Sequence, residues 1–291
     1  FEKSLAWLSD MLAWGTTTVE IKSGYGLSLA DELKQLSVIR SLAEQVRQTI
    51  VPTFLGAHAI PPDVEREAYV KEITELMLPE VAEKDLARFV DVFCDSIAFT
   101  ISETRTILER ARELDLGVKI HVDEISDTGG AGLAAELGAV SAEHLVKSSE
   151  EGLRAMAEAG VVPVLLPGTT FFLREKARPN VELMRQLHMP MAVATDFNPG
   201  SSTVFALPFA AVCGTLIDSL TLEEAIRGIT INAAKALGME ADIGSLEEGK
   251  QADILILDIS TWEELLYMFL KNSVRTVLKK GEVVFARRGE T

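Results

Sequence analysis

The chain has 291 residues, 47% of them apolar, and a net charge of −16 from 44 acidic and 28 basic side chains. That is enough apolar sequence for a sizeable core, which excludes global disorder, and the acidic balance argues against a nucleic-acid or anionic-membrane binder, both of which need a basic patch. Cys94 and Cys213 lie in apolar surroundings with no CxxC pair, as buried free thiols of a reducing compartment do, and no apolar run reaches the about 18 residues of a membrane span.

The chain opens on a helical stretch, FEKSLAWLSDMLAW. Apolar, β-branched runs then alternate with longer helical stretches. The runs are TTTVEI (16–21), IVPTFLGAH (50–58), FVDVFC (89–94), VKIHV (118–122), AVSAEHL (139–145), VVPVLL (161–166) and MAVAT (191–195). Ser102, before Glu103, and Ser148, before Glu150 and Glu151, sit where helix N-caps belong. Gly117, Gly138 and Gly160 close helices just before the next strand. Strand and helix in alternation mean a parallel sheet covered on both faces. Seven such units fit a closed eight-stranded barrel that is one strand short on its N-terminal side. An open doubly wound sheet is the rival, but SGYGLS (23–28) is a poor phosphate loop after the first strand. After Pro208 the texture changes. SLTLEEAIRGITINAAKALG (219–238) reads as helical, IGSLEEGKQADILILD (243–258) as a turn-rich lead into a strand, and VRTVLKKGEVVFARR (274–288) as a hairpin turning at Lys280 and Gly281. These last strands lie outside the parallel system.

The polar residues fall in a pattern. Of the four histidines, His58, His121 and His144 lie at or near the C-terminal ends of expected strands, as does Asp196; Glu124 follows His121 closely. In a barrel, strand C-termini share one face, and active sites sit there. His188 follows a helix and reads as structural or surface. Asp196 has a second reading as turn chemistry, because Asp-x-Asn-Pro-Gly favours a tight turn. Imidazole and carboxylate at strand ends suit a metal ion that activates water. Two ligands are too few for a catalytic site, so more are expected from the absent first strand.

These residues resemble the imidazolonepropionase family of the amidohydrolase superfamily. The matching stretches are TTVEIKSGYGL, TFLGAHAIPP, KIHVDEI, GAVSAEHL, LLPGTTFFL and ATDFNPGSS, with IGSLEEGKQADILILD general to the superfamily. The resemblance implies an α/β fold: a (β/α)8 TIM barrel of the amidohydrolase type, lacking strand 1, over residues 1–240, with 241–291 returning to a small β-sandwich domain. It implies hydrolysis of the cyclic amide of 4-imidazolone-5-propanoate in histidine degradation. His121 and Asp196 then look like metal ligands, and His144, Glu124 and Asp196 like the catalytic groups. His58, Glu124, Asn198, Gly200 and Ser201 look like substrate contacts. The strand FVDVFC offers no lysine to bridge two metals, which fits one zinc or iron ion. The family's His-x-His pair, its following arginine and tyrosine, and the start of its small domain have no counterpart here. The chain is therefore expected to be N-terminally truncated, with two further histidine ligands lying in the missing segment, and by itself weakly active or inactive. The resemblance further implies a cytoplasmic enzyme whose partner is a small-molecule substrate, with a homodimer allowed. Another ring hydrolase or nucleobase deaminase of the same superfamily, and a non-catalytic barrel remnant with a binding role, are the alternatives.

Overall fold

The computed structural model describes residues 1–287. Seven strands form one parallel sheet in chain order: β1 (Thr18–Lys22), β2 (Thr49–Ala57), β3 (Phe89–Cys94), β4 (Gly117–Val122), β5 (Ser141–His144), β6 (Val162–Leu165) and β7 (Ala192–Val193). The sheet is rolled. Lys22 on β1 reaches Glu143 on β5 at 3.1 Å, whereas four strand spacings in a flat sheet would separate them by about 19 Å. β1 and β7 are the two ends of the strand order and are not bonded to each other. The barrel is thus open along one seam, where the expected first strand would lie.

Buried branched and aromatic residues on the strands and helices form one large core, including Phe54, Tyr69, Val90, Ile107, Leu108 and Ile120. At the seam the helix Glu2–Ala13 turns Leu8 and Met11 inward. Trp7 packs against Phe197 and Phe205 at centroid distances of 4.9 and 5.3 Å. A second sheet, antiparallel and ordered β10-β9-β8, comprises β8 (Ile254–Leu257), β9 (Val274–Lys279) and β10 (Glu282–Ala286). Lys280 (φ 53°) and Gly281 (φ 82°) make its hairpin turn, the pair of left-handed residues that a tight hairpin needs. Arg288, the last residue expected in that hairpin, lies outside the described residues. No helix among the described residues is long and apolar enough to cross a membrane.

Two local expectations are corrected. The helix Ile101–Glu113 is capped by Thr100, not Ser102, because Thr100 and Glu103 form a reciprocal capping box. The helix Glu150–Ala159 is capped by Ser149, not Ser148; the Ser148 hydroxyl instead donates to Asp123 Oδ2 at 2.7 Å. Gly138 and Gly160 take the left-handed conformation expected of helix-closing glycines, but before β4 that role falls to Asp115 (φ 59°). Gly117 opens β4 instead. Its hydrogen matters for another reason: a Cβ there would lie 2.6 Å from the Phe89 ring.

Candidate active site

The strand register sets the site. Phe93 on β3 pairs with His121 on β4, His121 with Glu143 on β5, and Val122 with His144. Side chains at alternate positions point to the same face, so Asp91, His121 and Glu143 converge inside the barrel. His121 Nδ1 lies 2.9 Å from both Asp91 Oδ2 and Glu143 Oε2. These are ion-pair contacts rather than aligned hydrogen bonds, since Nδ1 has no hydrogen-bond partner of good geometry. Lys22 Nζ bridges the same carboxylates, 2.7 Å from Asp91 and 3.1 Å from Glu143. Lys119 and Glu20 extend the network at 2.9 Å.

Six charged or chargeable side chains are therefore stacked in the barrel interior. Burial pushes Glu143 up, but Lys22 and His121 outweigh it and hold the carboxyl well below its usual range. Burial pulls His121 down, and Asp91 and Glu143 outweigh it and raise the imidazole well above its usual range. Burial likewise opposes the Lys22 charge, which Asp91, Glu143 and Glu20 more than restore. The arrangement follows the rule that buried charges persist only when paired.

Above this layer the strand ends open into a cavity of about 520 Å³. Its walls include His58, His121, Glu124, His144, Asp196, Asn198 and Ser201. Seven of the eight residues singled out from the sequence thus come together, and Gly200 sits just behind, exposed on the same turn. His188 is elsewhere and exposed. The His121 and His144 rings are 5.3 Å apart, and His144 Nε2 is 3.6 Å from Glu124 Oε2. Burial lowers the His144 imidazole against the opposing pull of Glu124 and Asp196, which favours its neutral form. Asp123, His144, Leu145 and Asp196 all have positive φ at strand ends, and non-glycine strain of this kind gathers at functional sites. Asp196 Oδ2 accepts the Thr169 hydroxyl at 2.5 Å.

Asn198 has a structural task as well. Its Oδ1 accepts the backbone N–H groups of Gly200 and Ser201 at 2.8 and 2.7 Å, and its Nδ2 donates to the Asp196 carbonyl at 2.6 Å. The turn reading of Asp196 is thus corrected: its carboxylate faces the cavity and accepts from Thr169, while Asn198 is the side chain that builds the turn.

Tyr25 was not singled out in the sequence. It lines the cavity with its ring 5.1 Å from His58. Burial and the nearby Asp196 charge raise its phenol, so it stays a hydrogen-bond donor. Its loop is built around Glu32, fully buried, whose carboxylate accepts N–H groups from Gly24, Gly26 and Leu27 at 3.0, 2.7 and 3.0 Å. SGYGLS is thus an anion cradle occupied by the chain's own carboxylate. The cue was present, since Glu32 follows a glycine-rich turn by a few residues.

Among the described residues, the group of three metal-ligating side chains that converge closely is Asp91, His121 and Glu143. Asp196 is not in that group.

Residues 2–284 match the amidohydrolase family model. The chain is 50% identical to an imidazolonepropionase of Symbiobacterium thermophilum over 286 residues, covering 97% of this chain and 67% of that one. It is 44% identical to an imidazolonepropionase of Shewanella frigidimarina, covering 98% of this chain and 70% of that one. Among solved structures, E. coli guanine deaminase superposes with a TM-score of 0.72 at 16% identity, over 98% of this chain and 72% of that one; at that identity the likeness concerns the fold. The chain belongs to the amidohydrolase family and, within it, to the imidazolonepropionases.

Proposed function

We propose that this cavity serves hydrolysis of the cyclic amide C–N bond of 4-imidazolone-5-propanoate, giving N-formimidoyl-L-glutamate. The observation that carries the reading is the meeting of His144 and Glu124, 3.6 Å apart, beside His121 at the mouth of the rolled sheet. His121 and Asp196 are the proposed ligands of a zinc or iron ion, and the donor chemistry fits. Nδ1 of His121 lies 2.9 Å from the carboxylates of Asp91 and Glu143, which leaves Nε2 as the nitrogen available to an ion, and metal-bound histidines characteristically turn their other nitrogen to a carboxylate. Asp91 and Glu143 are poorer candidates, because the Lys22 ammonium already bridges both and would repel a second cation. A metal ion at this place supplies Lewis-acid polarisation and an activated water.

The chain's own residues account for the rest. Neutral His144 offers an N–H to the oxyanion that develops on the ring carbonyl, a stabilisation that is often the largest single term. Glu124 or Asp196 takes the proton of the attacking water and returns it to the leaving ring nitrogen. Tyr25, protonated, and His58, whose Nδ1 is engaged with the Gly24 carbonyl at 3.0 Å, offer polar contacts to the rest of the substrate. Catalytic metal sites usually draw three ligands from protein, so with two from this chain its own turnover is expected to be slow.

The test is conversion of 4-imidazolone-5-propanoate by the metal-loaded protein, followed by mass spectrometry, with guanine and cytosine as competing substrates. Metal-dependent appearance of N-formimidoyl-L-glutamate, slowed by about 100-fold or more but still measurable in Glu124→Gln, is expected. Deamination of a nucleobase with the imidazolone ring left intact would overturn the reading.

A further inference from the structure

Glu124 stands on a short loop between β4 and the helix Gly130–Glu136. Its backbone neighbours are held from two sides. Asp123, on one side, accepts the Thr128 N–H and hydroxyl at 3.0 and 3.1 Å and the Ser148 hydroxyl at 2.7 Å. On the other side the anchor comes from a different strand. Asp95, just past the end of β3 and 2% exposed, accepts the Ile125 N–H on Oδ2 at 2.9 Å. Its Oδ1 accepts the Ser126 hydroxyl at 2.9 Å and the Ser96 N–H and hydroxyl at 2.6 and 3.0 Å.

We infer that Asp95 is a positioning residue for Glu124: it fixes the peptide immediately after Glu124 and so sets where that carboxylate stands relative to His144. The inference rests on the reading that Glu124 works on the substrate. Asp95 is not among the residues lining the cavity, so it acts through the loop and not on the substrate. Two carboxylate oxygens are needed, because four donors converge on them from both sides. An asparagine would keep one acceptor oxygen and must release either the Ile125 amide or the serine cluster. The Glu124 side chain has no comparable restraint of its own among its described contacts beyond the 3.6 Å approach to His144. Its placement therefore depends on its backbone, and a displacement of about 1 Å at a catalytic group can cost up to about 100-fold in rate.

The experiment compares the metal-loaded parent protein with Asp95→Ala, Asp95→Asn, Glu124→Gln and the Asp95→Ala/Glu124→Gln double variant. Amide hydrogen exchange at Ile125 is measured alongside kcat and KM for 4-imidazolone-5-propanoate. Faster exchange at Ile125 is expected in both Asp95 variants, with kcat down about 10- to 100-fold and KM changed far less. In the Glu124→Gln background, removing Asp95 should cost less than about twofold more, since a residue acting through Glu124 has nothing left to position. Unchanged exchange at Ile125, or a loss that recurs undiminished in the double variant, would overturn the inference. Full activity in Glu124→Gln would instead sink the reading of Glu124, and the exchange result would still show whether Asp95 holds the loop. Asp95→Asn guards against misfolding of the alanine variant.

Discussion

Asp218 ends the helix Leu207–Ile217 with both carboxylate oxygens buried and without a hydrogen-bond partner. Burial raises its pKa to about 7 from 3.8, with only Arg178 pulling the other way. The perturbation is Asp218→Asn. When a folded-state pKa lies above the unfolded one, stability is highest below the unfolded value and falls as pH rises through the folded value. The shift of about three pH units corresponds to a penalty of about 4 kcal/mol once both states are ionised, at 1.36 kcal/mol per unit. About half of it, roughly 2 kcal/mol, develops between pH 5.5 and pH 8. Urea unfolding followed by circular dichroism at those two pH values reads it directly. The parent protein should lose about 2 kcal/mol more than the variant on going from pH 5.5 to pH 8. The comparison of slopes cancels any constant cost of burying the amide. Equal pH dependence in the two proteins would refute the reasoning, because it would mean that Asp218 is solvated or paired in the folded state.

Other outcomes follow from the same geometry. Lys22→Met leaves Asp91 and Glu143 facing each other with one fewer cation, and should destabilise the protein by about 3–5 kcal/mol in denaturant titration, the cost of breaking a buried pair. Glu32→Gln should cost about 1–3 kcal/mol by removing acceptor capacity for three N–H groups, and should speed amide exchange at Gly26 and Leu27. Gly117→Ala should lower stability by about 1–3 kcal/mol through overpacking against Phe89, with no change in metal content. Thr169→Val, which removes the hydroxyl donor to Asp196, should weaken zinc affinity about 10-fold or more as a lost supporting hydrogen bond, measured by chelator competition.

The parallel sheet was legible because it is a property of long runs. Seven apolar segments, each followed by a helical pattern, led to seven strands in order. The strand-end residues were legible for the same reason, since equivalent positions on successive strands face one mouth. The interior charge layer was harder to see. Glu20 and Lys22, like Lys119 and His121, lie at alternating positions, but Glu20, Lys119 and Asp91 sit within runs that read as simply apolar and Lys22 falls one residue past the end of its run. The period of two was present, but nothing local says which of two faces points into a barrel or that charges four strands apart will neutralise one another. Tyr25 was hidden in a turn whose conformation depends on Glu32, and Asp95 on a contact between two separate strand ends. The missed caps were a matter of one or two residues, where Thr100 with Glu103 outcompetes Ser102. Contacts between elements distant in sequence decided the charge layer and the Asp95 anchor, whereas the Glu32 loop and the caps were local choices among competing side chains.

The central claim is that His121 and Asp196 hold the ion at the cavity mouth while Asp91 and Glu143 support His121 from below. Zinc affinity of the purified protein and of Asp196→Ala, by chelator competition at fixed pH, tests it most directly. The account predicts a loss of at least about 10-fold on removing the Asp196 carboxylate, as expected of a direct ligand. Unchanged affinity in Asp196→Ala would contradict it and move the ion down to the Asp91, His121 and Glu143 group.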